Sequence, residues 1–248
     1  MNFSEIPVTG VLSHFIKGFW KFENVEGALT YDILPDGFFD LVLEIRQGVL
    51  WEVSLTGVWT RQIAVHIPED SVLIGIQCKL IASEYIFQKP VTSFLNRKIV
   101  LPIDFLGVDK LPVDDFSAFA DAFSQQTLHG LKNLEEIDHR KFDLFKTLYE
   151  CKGEISVAQL SDKIHWSSRQ MNRYFTRQFG LSIKNFSSIL KCHASYPQIA
   201  KGNLYPGREY FDQSHFIKQI KRYTGVTPKV LCKNQNDRYL QFSTLKEN

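Results

Sequence analysis

Residues 156–184 read SVAQLSDKIHWSSRQMNRYFTRQFGLSIK. The stretch resolves into two short helices and a tight turn. Ser156 with Gln159, and Ser167 with Gln170, have the spacing of a capping box, in which the two side chains satisfy backbone groups left over at a helix start. Val157, Leu160 and Ile164 share one face of the first helix. Met171, Phe175 and Phe179, four residues apart, form the apolar back of the second. His165 stands in the turn where a helix-turn-helix often has Gly, and His is among the residues that tolerate positive φ. The outward face of the second helix carries Arg169, Gln170, Asn172, Arg173 and Arg177. Arg makes paired hydrogen bonds to guanine, and Asn or Gln makes them to adenine.

A charged front on one helix is commonly no more than a solvated face. A second copy argues against that here. Shifted by 45 residues, Met171 aligns with Phe216, Phe175 with Ile220, Arg173 with Lys218 and Arg177 with Arg222. Gly180 aligns with Gly225, suited to the left-handed position after a helix. Ser182 aligns with Thr227 and Lys184 with Lys229. Thr227 suits an N-cap, and Pro228 after it suits the first helical position. Two related cationic helices joined by a connecting helix, expected over residues 183–201, suggest two heads that enter successive turns of a duplex, about 34 Å apart.

The motifs at 156–184, the string Tyr210-Phe-Asp-Gln-Ser-His-Phe216, Lys221-Arg222 and Gly225-Val-Thr-Pro228 together resemble the AraC/XylS family of transcription regulators over about residues 138–232. The resemblance implies that Arg169, Asn172 and Arg173 face bases in the first head, and Ser214, His215 and Lys218 in the second. Gln170 and Gln213 would hold phosphates, and His215 either touches DNA or caps local backbone. Arg177, Lys184, Lys221 and Arg222, cations near helix ends, complete the expected duplex contacts. Trp166 is expected to pack between the helices of the first head. The second head departs from the family pattern: Leu204-Tyr-Pro-Gly-Arg-Glu-Tyr210 puts Pro206 and Gly207 where a supporting helix is usual, and Glu209 where Gly is usual. That helix is expected to be short or replaced by a loop. A protein-interaction module that has lost autonomous DNA binding is the alternative function. Pro197 is expected to kink or end the connecting helix.

Charge is segregated along the chain. The net charge is +2, yet residues 1–150 hold 13 Lys/Arg against 21 Asp/Glu, and residues 151–248 hold 16 against 6. A basic part carrying repeated helices is the footprint of a phosphate-backbone binder. Cys78, Cys151, Cys192 and Cys232 show no metal or redox spacing. No apolar run reaches the roughly 18 residues needed to span a bilayer, so a cytoplasmic protein with no membrane partner is expected.

The fold expected is α+β. Residues 1–130 form a mostly antiparallel β domain with helices, and residues 131–248 an all-α domain with helix-turn-helix units at 156–180 and about 204–225. Strands are expected within 14–22, 39–45, 49–55, 62–67 and 72–80, with Leu34-Pro-Asp-Gly37 as a turn. Residues 1–80, through the string LPDG..DLV, resemble the β-rich sensor half of some regulators of the same family. Residues 101–107 read as strand or turn, 114–126 as a helix capped by Asp114 or Asp115, 127–137 as a linker and 138–150 as a further helix. The polar tail after Arg238 is expected to fray.

No enzyme site is evident. His14, His66 and His129 are scattered, with no metal-ligand spacing, and neither a nucleophile elbow nor a phosphate loop is present; no cofactor or metal is expected. Asp36 and Asp40 flank a turn and read as structural. Phe19, Trp20, Phe22, Trp51 and Trp59 read as core before pocket. The chain is therefore expected to be a sequence-specific regulator of double-stranded DNA. Sensing a small-molecule effector, homodimerisation, or both are the roles open to its acidic part.

Overall fold

Alternation decides the sheet. Phe39, Leu41, Leu43 and Ile45 are all buried along one strand, and Ile74, Ile76 and Cys78 along another. Residues at every second position point to the same face of a strand. The structure, a computed structural model, describes residues 2–24, 27–132, 137–205, 212–234, 238–240 and 242. Its strands are β1 (Asn2–Pro7), β2 (Ile16–Asn24), β3 (Leu29–Ile33), β4 (Phe39–Arg46), β5 (Val49–Thr56), β6 (Ile63–Ile67), β7 (Ser71–Cys78) and β8 (Lys98–Leu101). Six of them form an antiparallel sheet in the order β1-β2-β7-β4-β5-β8, and β3 pairs with β6 in a separate two-stranded sheet.

The helices are α1 (Ala82–Tyr85), α2 (Phe116–Lys132), α3 (His139–Glu150), α4 (Val157–Ile164), α5 (Ser168–Phe179), α6 (Ile183–Ala200), α7 (Gln213–Thr224) and α8 (Pro228–Lys233). The architecture is thus an N-terminal antiparallel β domain followed by a helical region. On one face of the large sheet, Phe19 meets Phe119 and Phe123 of α2 edge-on, at centroid distances of 6.3 and 6.0 Å. The opposite face presents Trp20, Asp40 and Gln77 towards α6.

Several sequence expectations are corrected. Strands β1 and β3 lie outside the expected strand runs: β1 is an edge strand with no buried position, and β3 is only five residues long. Residues 127–132 are not linker but the end of α2, because Thr127, Leu128 and Leu131 prolong its apolar face. Asp115 caps that helix, accepting from the backbone N–H groups of Ser117 and Ala118. Residue Leu101 ends β8, and a 3-10 segment follows at Phe105–Lys110. Helix α6 does not end at Pro197: the proline withholds one N–H, but the last turn still closes, with the Lys201 N–H donating to the Pro197 carbonyl at 3.2 Å. The tail is not frayed at Tyr239 and Phe242, which are buried. Tyr239 forms a parallel bridge to Asp32 of β3, and Arg238 pairs with the Asp32 carboxylate. These aromatics supply the apolar contact that the polar look of the tail conceals; Phe242 packs on Tyr196 at 5.5 Å.

Candidate nucleic-acid interface

Helix α4 begins with a complete capping box: the Ser156 hydroxyl accepts from the Gln159 N–H, and the Gln159 side chain accepts from the Ser156 N–H at 2.9 Å. His165 ends it in the left-handed region at φ 52°. Ser167 caps α5 by accepting from the Gln170 N–H, but the Gln170 side chain accepts from the Ser167 hydroxyl, not from its backbone N–H as in a full box. Met171, Phe175 and Phe179 are fully buried, and Phe145 of α3 meets Phe179 edge-on at 5.2 Å. Trp166 is buried against Tyr174 at 5.3 Å, under the Arg140 guanidinium. That packing fixes which face of α5 looks outward.

The 45-residue recurrence extends to the backbone. Helix α5 spans Ser168–Phe179 and α7 spans Gln213–Thr224. Their N-caps are Ser167 and Asp212, and each ends in a left-handed Gly, Gly180 or Gly225. The next helices start from Ser182 and Thr227. In α7, Phe216, Ile220 and Tyr223 are buried. The segment 206–211, including Pro206, Gly207, Glu209 and Tyr210, lies outside the described residues, so the expected supporting helix of the second head does too.

Arg169, Gln170, Arg173, Arg177 and Lys184 are exposed, as are Gln213, Ser214, His215, Lys218, Lys221 and Arg222. Asn172 differs: it is half-buried and donates to the Ser168 carbonyl at 3.0 Å, spending part of its bonding capacity on its own helix. The Arg222 guanidinium lies 5.5 Å from the Tyr223 ring centroid. Between the two heads runs a groove of about 580 Å³, lined by Ser156, Gln159, Lys184, Lys191, His215 and Gln219 among others. It brings Lys184 of α6 and His215 of α7 to the start of α4, a convergence that the sequence spacing does not reveal.

The β domain touches both heads. Glu84 of α1 pairs with Lys141 of α3 and accepts from the Tyr174 hydroxyl of α5 at 2.8 Å. At the end of α5, a Cβ on Gly180 would stand 2.9 Å from Leu95. At the end of α7, the Tyr223 carbonyl accepts from the Gln62 N–H at 3.0 Å. The two loops that carry Gln62 and Leu95 are themselves bonded together. Gly57 N–H donates to the Arg97 carbonyl at 2.8 Å, and Thr60 N–H donates to the Asn96 side chain at 2.8 Å.

On the other side of α6, a cavity of about 440 Å³ lies between the sheet and the helix. Trp20, Asp36, Phe38 and Asp40 line it from the β side, and Leu190 and His193 from α6. The sequence treats Asp36 and Asp40 as turn residues; only the docking of α6, 150 residues away, makes them part of a cavity wall. Of the aromatics considered for a pocket, Trp20 lines it. Phe19 is core, Phe22 packs on Tyr31 at 5.7 Å, and Trp51 is exposed.

Among the described residues, no group of three or more His, Cys, Asp or Glu could hold a metal ion, and no helix is long and apolar enough to cross a membrane. A family described as a domain of unknown function, DUF6597, matches residues 4–100. No curated protein matches the chain. Among solved structures, an apo lysine-to-alanine variant of ToxT from Vibrio cholerae strain SCE256 is similar at a TM-score of 0.43 and 10% identity, over 85% of this chain and 95% of that one. ToxT in another crystal form gives 0.41 and 10%, over 92% and 97%. Wild-type ToxT with a bound unsaturated fatty acid gives 0.41 and 9%, over 89% and 95%.

Proposed function

We propose that this chain is a sequence-specific DNA-binding transcription regulator of the AraC type. In this reading residues 131–248 grip duplex DNA through helix-turn-helix units at 156–180 and about 204–225. Arg169, Arg173, Ser214, His215 and Lys218 discriminate bases, with a smaller share from Asn172. Gln170, Arg177, Lys184, Gln213, Lys221 and Arg222 hold phosphates. Residues 1–130 act as the controlling part. The observation that carries the reading is the recurrence, 45 residues apart, of a capped helix with a buried aromatic back, an exposed cationic front and a terminal Gly.

Phosphate contacts position such a protein and make its affinity fall steeply with salt, whereas contacts to base edges set sequence preference. Selection of bound sites from random duplexes with the purified full chain tests the reading. The expected result is an enriched site with two recognised blocks about one helical turn apart. Failure to enrich any sequence at low and moderate salt would overturn it.

A further inference from the structure

The cavity between the sheet and α6 contains two carboxylates, Asp36 and Asp40, that form no ion pair with Lys17 or Lys152, although those side chains also line it. Asp36 is buried and accepts from the Phe38 N–H and the Gln77 side chain, both at 2.9 Å. Asp40 accepts from the Trp20 indole at 2.8 Å. Those donors are all neutral. Neither aspartate forms an ion pair among the described residues. Buried carboxylates are ordinarily paired with a cation or a metal, because desolvation otherwise disfavours the charged form. The consequence is visible in their acidity: burial holds Asp36 up at about 6, and burial together with the Asp36 charge holds Asp40 up at about 7.

The remaining walls describe what would complete the pairing. Phe3, Trp20, Phe38, Leu190, Pro197 and Leu240 give it an apolar and aromatic side, while Glu5, Lys17 and Lys152 stand elsewhere in the lining. Trp20 is fixed flat against the sheet: a Cβ on Gly75 would stand 1.9 Å from its ring, so only Gly permits this placement. The site already attracts an ammonium of its own chain, since Lys17 Nζ lies 4.8 Å from the Phe38 ring centroid. Cations bind favourably over aromatic faces. A metal is disfavoured because, among the described residues, no third His, Cys, Asp or Glu joins the two aspartates in a group that could hold one. An anion would have to sit beside both carboxylates, with only Lys17 and Lys152, which pair with neither, to offset the repulsion. The volume, about 440 Å³, falls within the range of small-molecule pockets.

We propose that this cavity binds a small organic ammonium, a primary or secondary amine with an aromatic or branched apolar body. Its N–H groups bond Asp40 and Asp36, and its body packs on Trp20 and Leu190. One wall of the site is α6, the helix between the two heads, so occupancy would be the input to the regulator proposed above; that clause alone rests on the DNA-binding reading.

Calorimetric titration of the full chain without DNA tests the site, so its outcome is separate from that of any DNA experiment. Phenethylamine is the probe, and 3-phenylpropionate and 2-phenylethanol, of similar shape, are the anionic and neutral controls. The expected result is saturable binding of phenethylamine at least tenfold tighter than either control. Asp40→Asn is expected to weaken that binding at least tenfold. Ala194→Phe, which fills the cavity from α6, should abolish it, with thermal unfolding confirming that both variants are folded. Absence of binding, equal binding of either control, or full retention of binding by both folded variants would overturn the proposal.

Discussion

The Tyr196 hydroxyl, buried on the helix that joins the two heads, donates to the backbone carbonyl of Pro35 at 2.9 Å. One turn of α6 thereby holds the Leu34–Phe38 loop of the β domain. Tyr149 of α3 grips the same loop, donating to the Gly37 carbonyl at 2.9 Å and accepting from the Leu80 N–H at 3.0 Å. A side chain on Gly37 would meet Leu190 at 2.6 Å, so the loop and the helix approach as closely as glycine allows.

Tyr196→Phe keeps the ring and removes the donor, leaving the Pro35 carbonyl short of a partner in a buried place. A loss of about 1–2 kcal/mol is expected. Urea unfolding measures it; an unchanged midpoint would mean that water takes over the bond.

His165 closes α4 with a positive φ that costs an ordinary residue energy. His165→Gly is expected to leave stability unchanged or slightly raised. His165→Val, β-branched, should lower it by about 1–2 kcal/mol. Thermal unfolding of the two variants side by side decides this, and equal effects would remove the backbone argument.

Arg173 and Lys184 are both exposed, yet the proposed DNA-binding reading gives them different work. Arg173→Ala should cost about 1–3 kcal/mol on the selected site and much less on a scrambled one. Lys184→Ala should weaken both equally and reduce the salt slope of binding by about 1. Quantitative binding at several salt concentrations separates the two; identical profiles would refute the assignment.

Acidity around the cavity gives stability an opposed pH dependence. Asp36 and Asp40, held near 6 and near 7 by burial, bind protons more tightly in the folded chain than in the unfolded one. Their stabilising contribution is complete below about pH 4 and is lost as pH rises through those values. His193 runs the other way: burial, with the nearby Lys17 and Lys152 charges, lowers it from 6.5 to about 3. Its contribution is present above 6.5 and is lost as pH falls towards 3. Asp40→Asn should therefore match the wild type near pH 4 and become more stable above neutrality, by on the order of 2 kcal/mol. Unfolding curves across that range check it; a constant offset at every pH would contradict the cause given.

What was legible in the chain follows from range. Caps, turns and helical faces act within four residues, so Ser156 with Gln159, His165, Gly180 and the Met171–Phe175–Phe179 stripe could be read directly. Helix α7 was legible because it repeats α5. Asp36 and Asp40 were read as turn residues because their setting depends on α6. Tyr239 and Phe242 looked like a loose end because their partners, Asp32 and Tyr196, are far back along the chain. Asn172 was placed on the outward face by helical phase alone, which cannot foresee its bond to Ser168.

The loops around Gln62 and Leu95 support the ends of α7 and α5 and are stitched to each other through Gly57, Thr60 and Asn96. The spacing of α5 and α7 is consequently gauged at two places, by the length of α6 along one side and by this stitched ledge along the other. Lengthening either loop by a residue would be felt at both feet at once, much as a spacer resets a caliper.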